Sequence, residues 1–179
     1  MMQEFKVSGN RVGVLIGKGG LVKKELEEKT GTSIVIDSQE GMVRIEGEDA
    51  IPFLRAVEVT QAINRGFSPE KAFLLLEDED LLLDVINLTG YTESQRQLDR
   101  LRGRIIGKDG RSREQIEHMT GTNISILGKT VAIIGLPEQL KVARNAIDML
   151  IQGIPHEAVF AFLERKKREA KQNMIDYYY

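Results

Sequence analysis

The sequence predicts an α+β protein in which one small unit is built twice in tandem, and three observations carry that reading. First, a shift of 90 positions maps Ile16-Gly17-Lys18 onto Ile106-Gly107-Lys108, Gly20 onto Gly110 and Leu26 onto Ile116. The same shift maps Thr30-Gly31-Thr32 onto Thr120-Gly121-Thr122, and Ile34 and Ile36 onto Ile124 and Ile126. Second, each copy holds an apolar run, a Gly-Lys-x-Gly turn and a stretch with helical spacing, which sets a tight glycine loop between two helices. Third, two short β-branched runs and one longer amphipathic helix follow in each copy. The order is strand, helix, glycine loop, helix, strand, strand, helix. A three-stranded antiparallel sheet packed on helices is expected in each unit.

In the first copy, Glu4 to Val7 is the expected strand, Ser8-Gly9-Asn10 a turn, and Val12 to Ile16 a short apolar helix. Leu21 to Lys29 follows the loop with Val22 and Leu26 on one face. Ser33 to Asp37 and Met42 to Glu46 read as strands, and Pro52 opens a helix with Phe53, Ala56, Val57, Thr60 and Ile63 at core spacing. Ser68-Pro69-Glu70 starts a further helix through Leu76. The acidic run Glu77 to Asp80 then reads as a solvated linker, so the boundary is expected there: 1–80 and 81–179. The second copy is expected to start with a strand over Asp84 to Leu88 and to carry about ten extra residues, Thr89 to Leu98, before its loop. Strands over Asn123 to Leu127 and Thr130 to Ile134 follow, then a helix with Leu140, Ala143, Ile147 and Leu150 on one face. Gly153-Ile154-Pro155-His156-Glu157 parallels Gly66-Phe67-Ser68-Pro69-Glu70, which duplicates the trailing helix as well.

Composition narrows the function. The chain has 179 residues, 41% of them hydrophobic, and no cysteine, so disulfides and thiolate metal sites are excluded. No run approaches the roughly 18 apolar residues of a membrane span, and the start lacks a signal-peptide pattern, so a cytoplasmic protein with no membrane contact is expected. The net charge of −2 is unevenly divided. Residues 1–90 hold 10 Lys+Arg against 16 Asp+Glu, and residues 91–179 hold 15 against 11. The second half is therefore the expected home of the main anion-binding surface. Arg96, Arg100, Arg102, Arg104, Lys108, Arg111 and Arg113 gather around the second glycine loop, with only Asp99 and Asp109 among them. Arg165-Lys166-Lys167-Arg168 and Lys171 form a second basic run, which fits either RNA contact or the C-terminal end of a helix dipole. His118 and His156 are the only histidines, and no catalytic arrangement, metal-ligand set or cofactor motif can be assembled around them. An enzyme is not expected.

The loop chemistry favours phosphate. Amides at a helix start, with a lysine beside them, suit a phosphate oxygen. A nucleotide-binding P-loop fails on spacing, since Gly13 and Gly103 stand three residues before the Gly-Lys pair. It fails also on the missing Ser or Thr, because Gly19 and Asp109 follow the lysines. The G-x-G-x-x-G dinucleotide fingerprint matches neither copy. A glycine that only caps a helix explains one glycine, whereas two glycines, a lysine and both helices are duplicated here. Both loops thus read as GxxG clamps on a nucleic-acid backbone, of the KH kind.

The tandem units resemble KH domains of the eukaryotic type (type I). The second resembles the partner-of-Nob proteins in Gly103-Arg104-Ile105-Ile106-Gly107-Lys108-Asp109-Gly110-Arg111, Val131-Ala132-Ile133-Ile134-Gly135 and Ala143-Arg144-Asn145-Ala146-Ile147. In eukaryotic members the first domain has lost its glycine loop; here Gly17-Lys18-Gly19-Gly20 is intact, which is similar to the archaeal branch. The resemblance implies single-stranded RNA near the 3′ end of small-subunit ribosomal RNA as the target, in ribosome assembly and pre-rRNA processing. It also implies the alpha subunit of initiation factor two and a Nob-like endonuclease as partners. The expected RNA-binding residues are Val14, Leu15, Ile16, Gly17, Lys18, Gly19 and Gly20 in the first unit. In the second they are Arg102, Arg104, Ile105, Ile106, Gly107, Lys108, Asp109, Gly110, Arg111 and Arg113. The strands starting at Ser33 and Asn123 would form the opposite wall of each groove. With 6% aromatics and no Trp, an aromatic stacking platform is not expected. A protein adaptor, favoured by the acidic first half, and a single-stranded DNA binder remain as alternatives.

Overall fold

The computed structural model describes Met1–Tyr179, and the chain separates into two compact units, Met1–Leu83 and Asp84–Tyr179. In the first, β1 (Met2–Lys6) leads through Ser8 into α1 (Gly9–Ile16), and the glycine loop leads into α2 (Leu21–Thr30). The hairpin β2 (Ser33–Asp37) and β3 (Met42–Glu46) precedes the long α3 (Ala50–Asn64). The strand order is β1-β3-β2, with β3 antiparallel to both neighbours, so β2 is an edge strand. One sheet face meets the helices: Leu15, Leu26, Ile34, Val43, Ile45, Ala56 and Ile63 are buried together in the first unit's core. The other carries the polar and exposed side chains of Glu4, Arg44 and Val35, as period-two alternation requires.

The second unit repeats this frame with β4 (Leu82–Asn87), α6 (Gln95–Ile106), α7 (Arg111–Thr120), β5 (Asn123–Leu127), β6 (Thr130–Gly135) and α8 (Pro137–Ile151). Its sheet order is β4-β6-β5, leaving β5 at an edge. Ile86, Ile105, Ile116, Ile124, Ile133, Ala143 and Ile147 form its core. The added residues before the loop are in part helical. Ser94 accepts a hydrogen bond from the Gln97 amide, so the helix starts at Gln95 and α6 has 12 residues against 8 in α1.

The trailing segments differ more than the parallel between Gly66–Glu70 and Gly153–Glu157 predicts. In the first unit the segment is two short turns, α4 (Pro69–Ala72) and α5 (Leu74–Glu77). In the second it is α9 (His156–Tyr178), 23 residues long. Extending α5 would set Glu77 to Asp80, four acids, at a helix C-terminus, where the dipole is negative. The acidic linker is also held down: Arg55 donates to the carbonyls of Glu79 and Leu81, and Glu58 accepts from the Leu83 amide at 3.0 Å.

Smaller devices are duplicated that the sequence repeat alone does not reveal. Thr30 and Thr120 each donate to a carbonyl one turn back, Leu26 and Ile116, and pair with Thr32 and Thr122 at 2.8 Å. Arg11 donates to the carbonyls of Ile63 and Phe67, both at 2.8 Å. Arg104 donates to Leu150 and Ile154 at 3.0 and 2.7 Å. Each arginine thereby adds a charged donor to the carbonyls where α3 or α8 ends; Ile63 and Leu150 also accept from the Gly66 and Gly153 amides, both at 3.1 Å. Burial lowers the Arg11 pKa from its ordinary value, and the carbonyls supply the acceptors that its charge needs.

Candidate nucleic-acid interface

The two glycine loops adopt one conformation. Gly17 and Gly107 have φ/ψ of 77/171° and 74/176°, a region open in practice to glycine alone. A Cβ at Gly17 would come within 2.4 Å of Val22 Cγ2, and one at Gly107 within 2.5 Å of Ser112 Cβ. The next turn is left-handed at Gly19 and Gly20 (φ 61 and 75°) and at Asp109 and Gly110 (φ 55 and 76°). Asp109 is the one non-glycine residue at positive φ in the chain, and aspartate is among the few side chains that tolerate it. The loop amides of Gly17 and Gly20 bond back to Gly13 and Gly17, with the same pattern at Gly107 and Gly110. The amides of Lys18 and Gly19, and of Lys108 and Asp109, find no backbone acceptor and stand with exposed lysines at the start of α2 or α7. Successive free N–H groups beside a cation form a concave anion site.

The edge strand lies against the helix that follows each loop, β2 against α2 and β5 against α7. The Ile34 amide bonds Glu27 Oε2 at 3.0 Å, and Ile124 bonds Glu117 Oε2 at 2.9 Å. These amides therefore point to the free edge. In an antiparallel pair a residue's N–H and C=O point the same way and alternate residues share a direction, so Ile36 and Ile126 turn their backbone groups outward too. The expected wall of free backbone groups is thus narrower than the whole strand, since Ile34 and Ile124 have spent their donors on glutamate. Lys23 and Arg113 hold those glutamates through ion pairs, at 3.1 Å for Lys23 to Glu27.

Several expected RNA contacts have other positions. Leu15 and Ile105 are fully buried in the two cores; they anchor the loop-bearing helices instead of lining a groove. Val14, Ile16 and Ile106 are half-buried. The Arg104 guanidinium is spent on the end of α8, and Arg113 on Glu117 and Glu114. Arg102 lies 4.0 Å from Asp99, with its Nε buried and unpaired. Lys108, Arg111, Arg96 and Arg100 remain as exposed cations without an ion pair in the second unit; Lys18 and Lys24 do so near the first loop. In α9, Arg165 and Lys166 face Glu169, while Lys167, Arg168 and Lys171 are exposed. His118 is exposed on α7. No group of three or more His, Cys, Asp or Glu could hold a metal ion, and no helix is long and apolar enough to cross a membrane.

Ser112, Gln115, His156 and Phe160, which line a second depression, escaped the sequence reading. A cleft of about 450 Å³ opens between α6, α7 and α9, lined by Lys108, Arg111, Ser112, Gln115, His156 and Phe160 among others. His156 Nε2 lies 2.8 Å from the Arg104 carbonyl. The available signal was His156 and Phe160 at i and i+4 on one face of the trailing helix.

Two αβ units, each with a glycine loop between helices beside an edge strand, define a tandem KH protein. Comparison with known proteins agrees: residues 82–168 match the model of a eukaryotic-type KH domain (KH-domain type I), the second one of PNO1, and residues 2–58 match the KH domain model. The chain is 43% identical over 172 residues to the KH domain-containing protein MJ0443 of Methanocaldococcus jannaschii, covering 94% of this chain and 75% of that one. It is 31% identical over 121 residues to the RNA-binding protein pno-1 of Caenorhabditis elegans, of whose length that match covers only 44%. It also superposes on a chain of the solved a/eIF2alpha-aDim2p-rRNA complex of Pyrococcus horikoshii OT3. There the TM-score is 0.88 at 46% identity, over 94% of this chain and 95% of that one. The chain belongs to the partner-of-Nob (PNO1/Dim2) family of tandem KH-domain proteins.

Proposed function

We propose that this protein binds single-stranded RNA through both KH units, near the 3′ end of small-subunit ribosomal RNA, as a non-catalytic factor in ribosome assembly and pre-rRNA processing. The observation that carries the reading is the pair of pre-formed loops, each with unpaired amides and an exposed lysine, beside a strand edge with outward backbone groups. Phosphates seat on the loops, and bases turn toward Ile36 or Ile126, whose backbone groups can pair with a base edge. The assigned contacts are Gly17, Lys18, Gly19 and Gly20 with Val14 and Ile16, and Gly107, Lys108, Asp109, Gly110 and Arg111 with Ile106. Kinship with the chain bound in the rRNA complex supports the choice of ribosomal RNA over single-stranded DNA.

The second unit supplies most of the affinity, because Lys108 and Arg111 flank its loop where Lys18 and Leu21 flank the first. The first unit is acidic, and the a/eIF2alpha component of the related complex supports a protein partner of that kind here. Two tethered clamps hold a longer strand more tightly than either alone. The bound 3′ end is presented to a Nob-like endonuclease, which performs the cleavage. The test is binding of the intact chain to short RNAs matching the mature 3′ end and to scrambled RNAs of equal length. Preference for the former is expected; indifference would leave a generic single-strand binder, and cleavage by the purified protein would overturn the non-catalytic reading.

A further inference from the structure

We propose that the cleft between α6, α7 and α9 is a base-binding subsite that takes one further nucleotide of the bound strand, on the far side of the second glycine loop from β5. The inference rests on the RNA-binding reading above and adds a contact that the edge-strand groove does not contain. The two sites lie on opposite faces of α7. At 100° per residue, Arg113 and Glu117, which hold the β5 edge, fall within 40° of each other, while Arg111, Ser112 and Gln115 fall on the other side of the helix. A strand whose phosphate seats on the loop therefore has a surface on either hand.

The lining has the chemistry of a nucleotide site. Lys108 and Arg111 bring positive charge, and no acid lines the cleft. Ser112 is 4% exposed, and its buried hydroxyl has no hydrogen-bond partner, an unfilled donor and acceptor beside the start of α7. Phe160 offers a ring on which a base can stack. The Arg104 carbonyl only accepts, so His156 Nε2 carries the hydrogen toward it and leaves Nδ1 as a second polar atom of the ring. Gly103 also lines the cleft, and a Cβ there would meet nothing within 4 Å, so the absent side chain leaves the space open. The first unit is built otherwise. Val22 stands in the place of Ser112 and Leu21 in that of Arg111, and its trailing segment is two short turns. A larger cavity of about 660 Å³ in that unit is lined by Glu46, Glu48 and Asp49, the wrong charge for a phosphate.

The experiment uses the intact chain with its first loop disabled by Lys18→Asp and Gly19→Asp. Affinity is measured for RNAs matching the mature small-subunit 3′ end, at the shortest length that binds and with two nucleotides added at either end. One extension, and not the other, should tighten binding about five- to tenfold, and 2-aminopurine in it should be quenched. Phe160→Leu keeps an apolar side chain but removes the ring, and Gly103→Leu fills the cleft at a site with room for it. Both should abolish the gain and the quenching while holding the shortest RNA within about twofold of the parent. If Phe160→Leu fails to fold, Gly103→Leu decides. No gain at either end, or an equal gain in the variants, overturns the subsite. Failure of the parent to bind the shortest RNA overturns the RNA reading itself, and the subsite with it.

Discussion

Reversing the charge of one lysine should separate the two loops. Lys108→Asp turns the second loop into Gly-Asp-Asp-Gly, and its effect on folding should be small, because Lys108 is exposed and makes no ion pair. The left-handed position already holds Asp109 at φ 55°. A surface change of this kind stays within about 0.5 kcal/mol. Binding is another matter. A unit charge about 5 Å from a phosphate is worth roughly 0.8 kcal/mol at the dielectric constant of water, so replacing attraction by repulsion costs about 1.7 kcal/mol at low salt, or roughly 20-fold in Kd, and less as salt screens the exposed pair. Partial desolvation of the contact enlarges that figure. The matching change in the first unit, Lys18→Asp with Gly19→Asp, alters the charge more but should cost less than about fivefold, since Leu21 there replaces Arg111 and the surrounding unit is acidic. Gly19 has φ 61°, close to that of Asp109, so aspartate fits both loops. Fluorescence anisotropy with a labelled 3′-end RNA reads the affinity, and thermal melting checks the fold. Equal losses in the two variants, or a larger loss from the first unit, would refute the asymmetry; no loss from either would remove the clamps.

Other consequences can be measured directly. Gly107→Ala forces a Cβ to 2.5 Å from Ser112 Cβ at φ 74°, and should lower stability by about 2–4 kcal/mol in denaturant titration. Arg104→Met removes both hydrogen bonds to the end of α8, costing about 1–3 kcal/mol, with RNA affinity unchanged where the variant is folded. Glu117→Gln weakens the hold of Arg113 and the Ile124 amide on the β5 edge; hydrogen exchange at Ile124 should rise while that at Ile133 in the central strand does not. If about five phosphates are neutralised, log K should fall with log salt at a slope of roughly −3 to −4, and a slope near zero would oppose the clamp model.

The duplicated frame was legible because its signals are local. The 90-residue repeat, the period-two strands and the Gly-Lys-x-Gly turns specify the element order and the loops directly. Individual contacts were not legible where the partner is distant in the chain. Nothing near Arg104 reveals that its guanidinium reaches Leu150 and Ile154, or near Glu117 that it holds the Ile124 amide. Counting charges around the second loop therefore overstated the free cations, since Arg104 and Arg113 are already engaged. Leu15 and Ile105 were misassigned for a related reason: an apolar run in a short helix does not tell the core face from the groove margin until the sheet beneath it is placed.

Two units with one backbone have thus diverged by exchanging side chains at matching positions. At the left-handed loop position Gly19 became Asp109, or the reverse, without moving the chain, because both residue types tolerate the conformation. One turn on, Leu21-Val22 corresponds to Arg111-Ser112, and that pair changes an apolar helix start into a charged one with a buried hydroxyl. The arginine tying the glycine-loop helix to its neighbour also moved by one turn. Arg11 aligns with Leu101, not with Arg104, yet both arginines reach the carbonyls at the end of the following long helix. The frame tolerates such shifts because a guanidinium spans a helical turn and carbonyls at a helix end are accessible from either position. What cannot move is Gly17 or Gly107, where a Cβ would enter the next helix. Retention of that glycine in both units fixes the anion site, and the residues around it set how strongly each site is used.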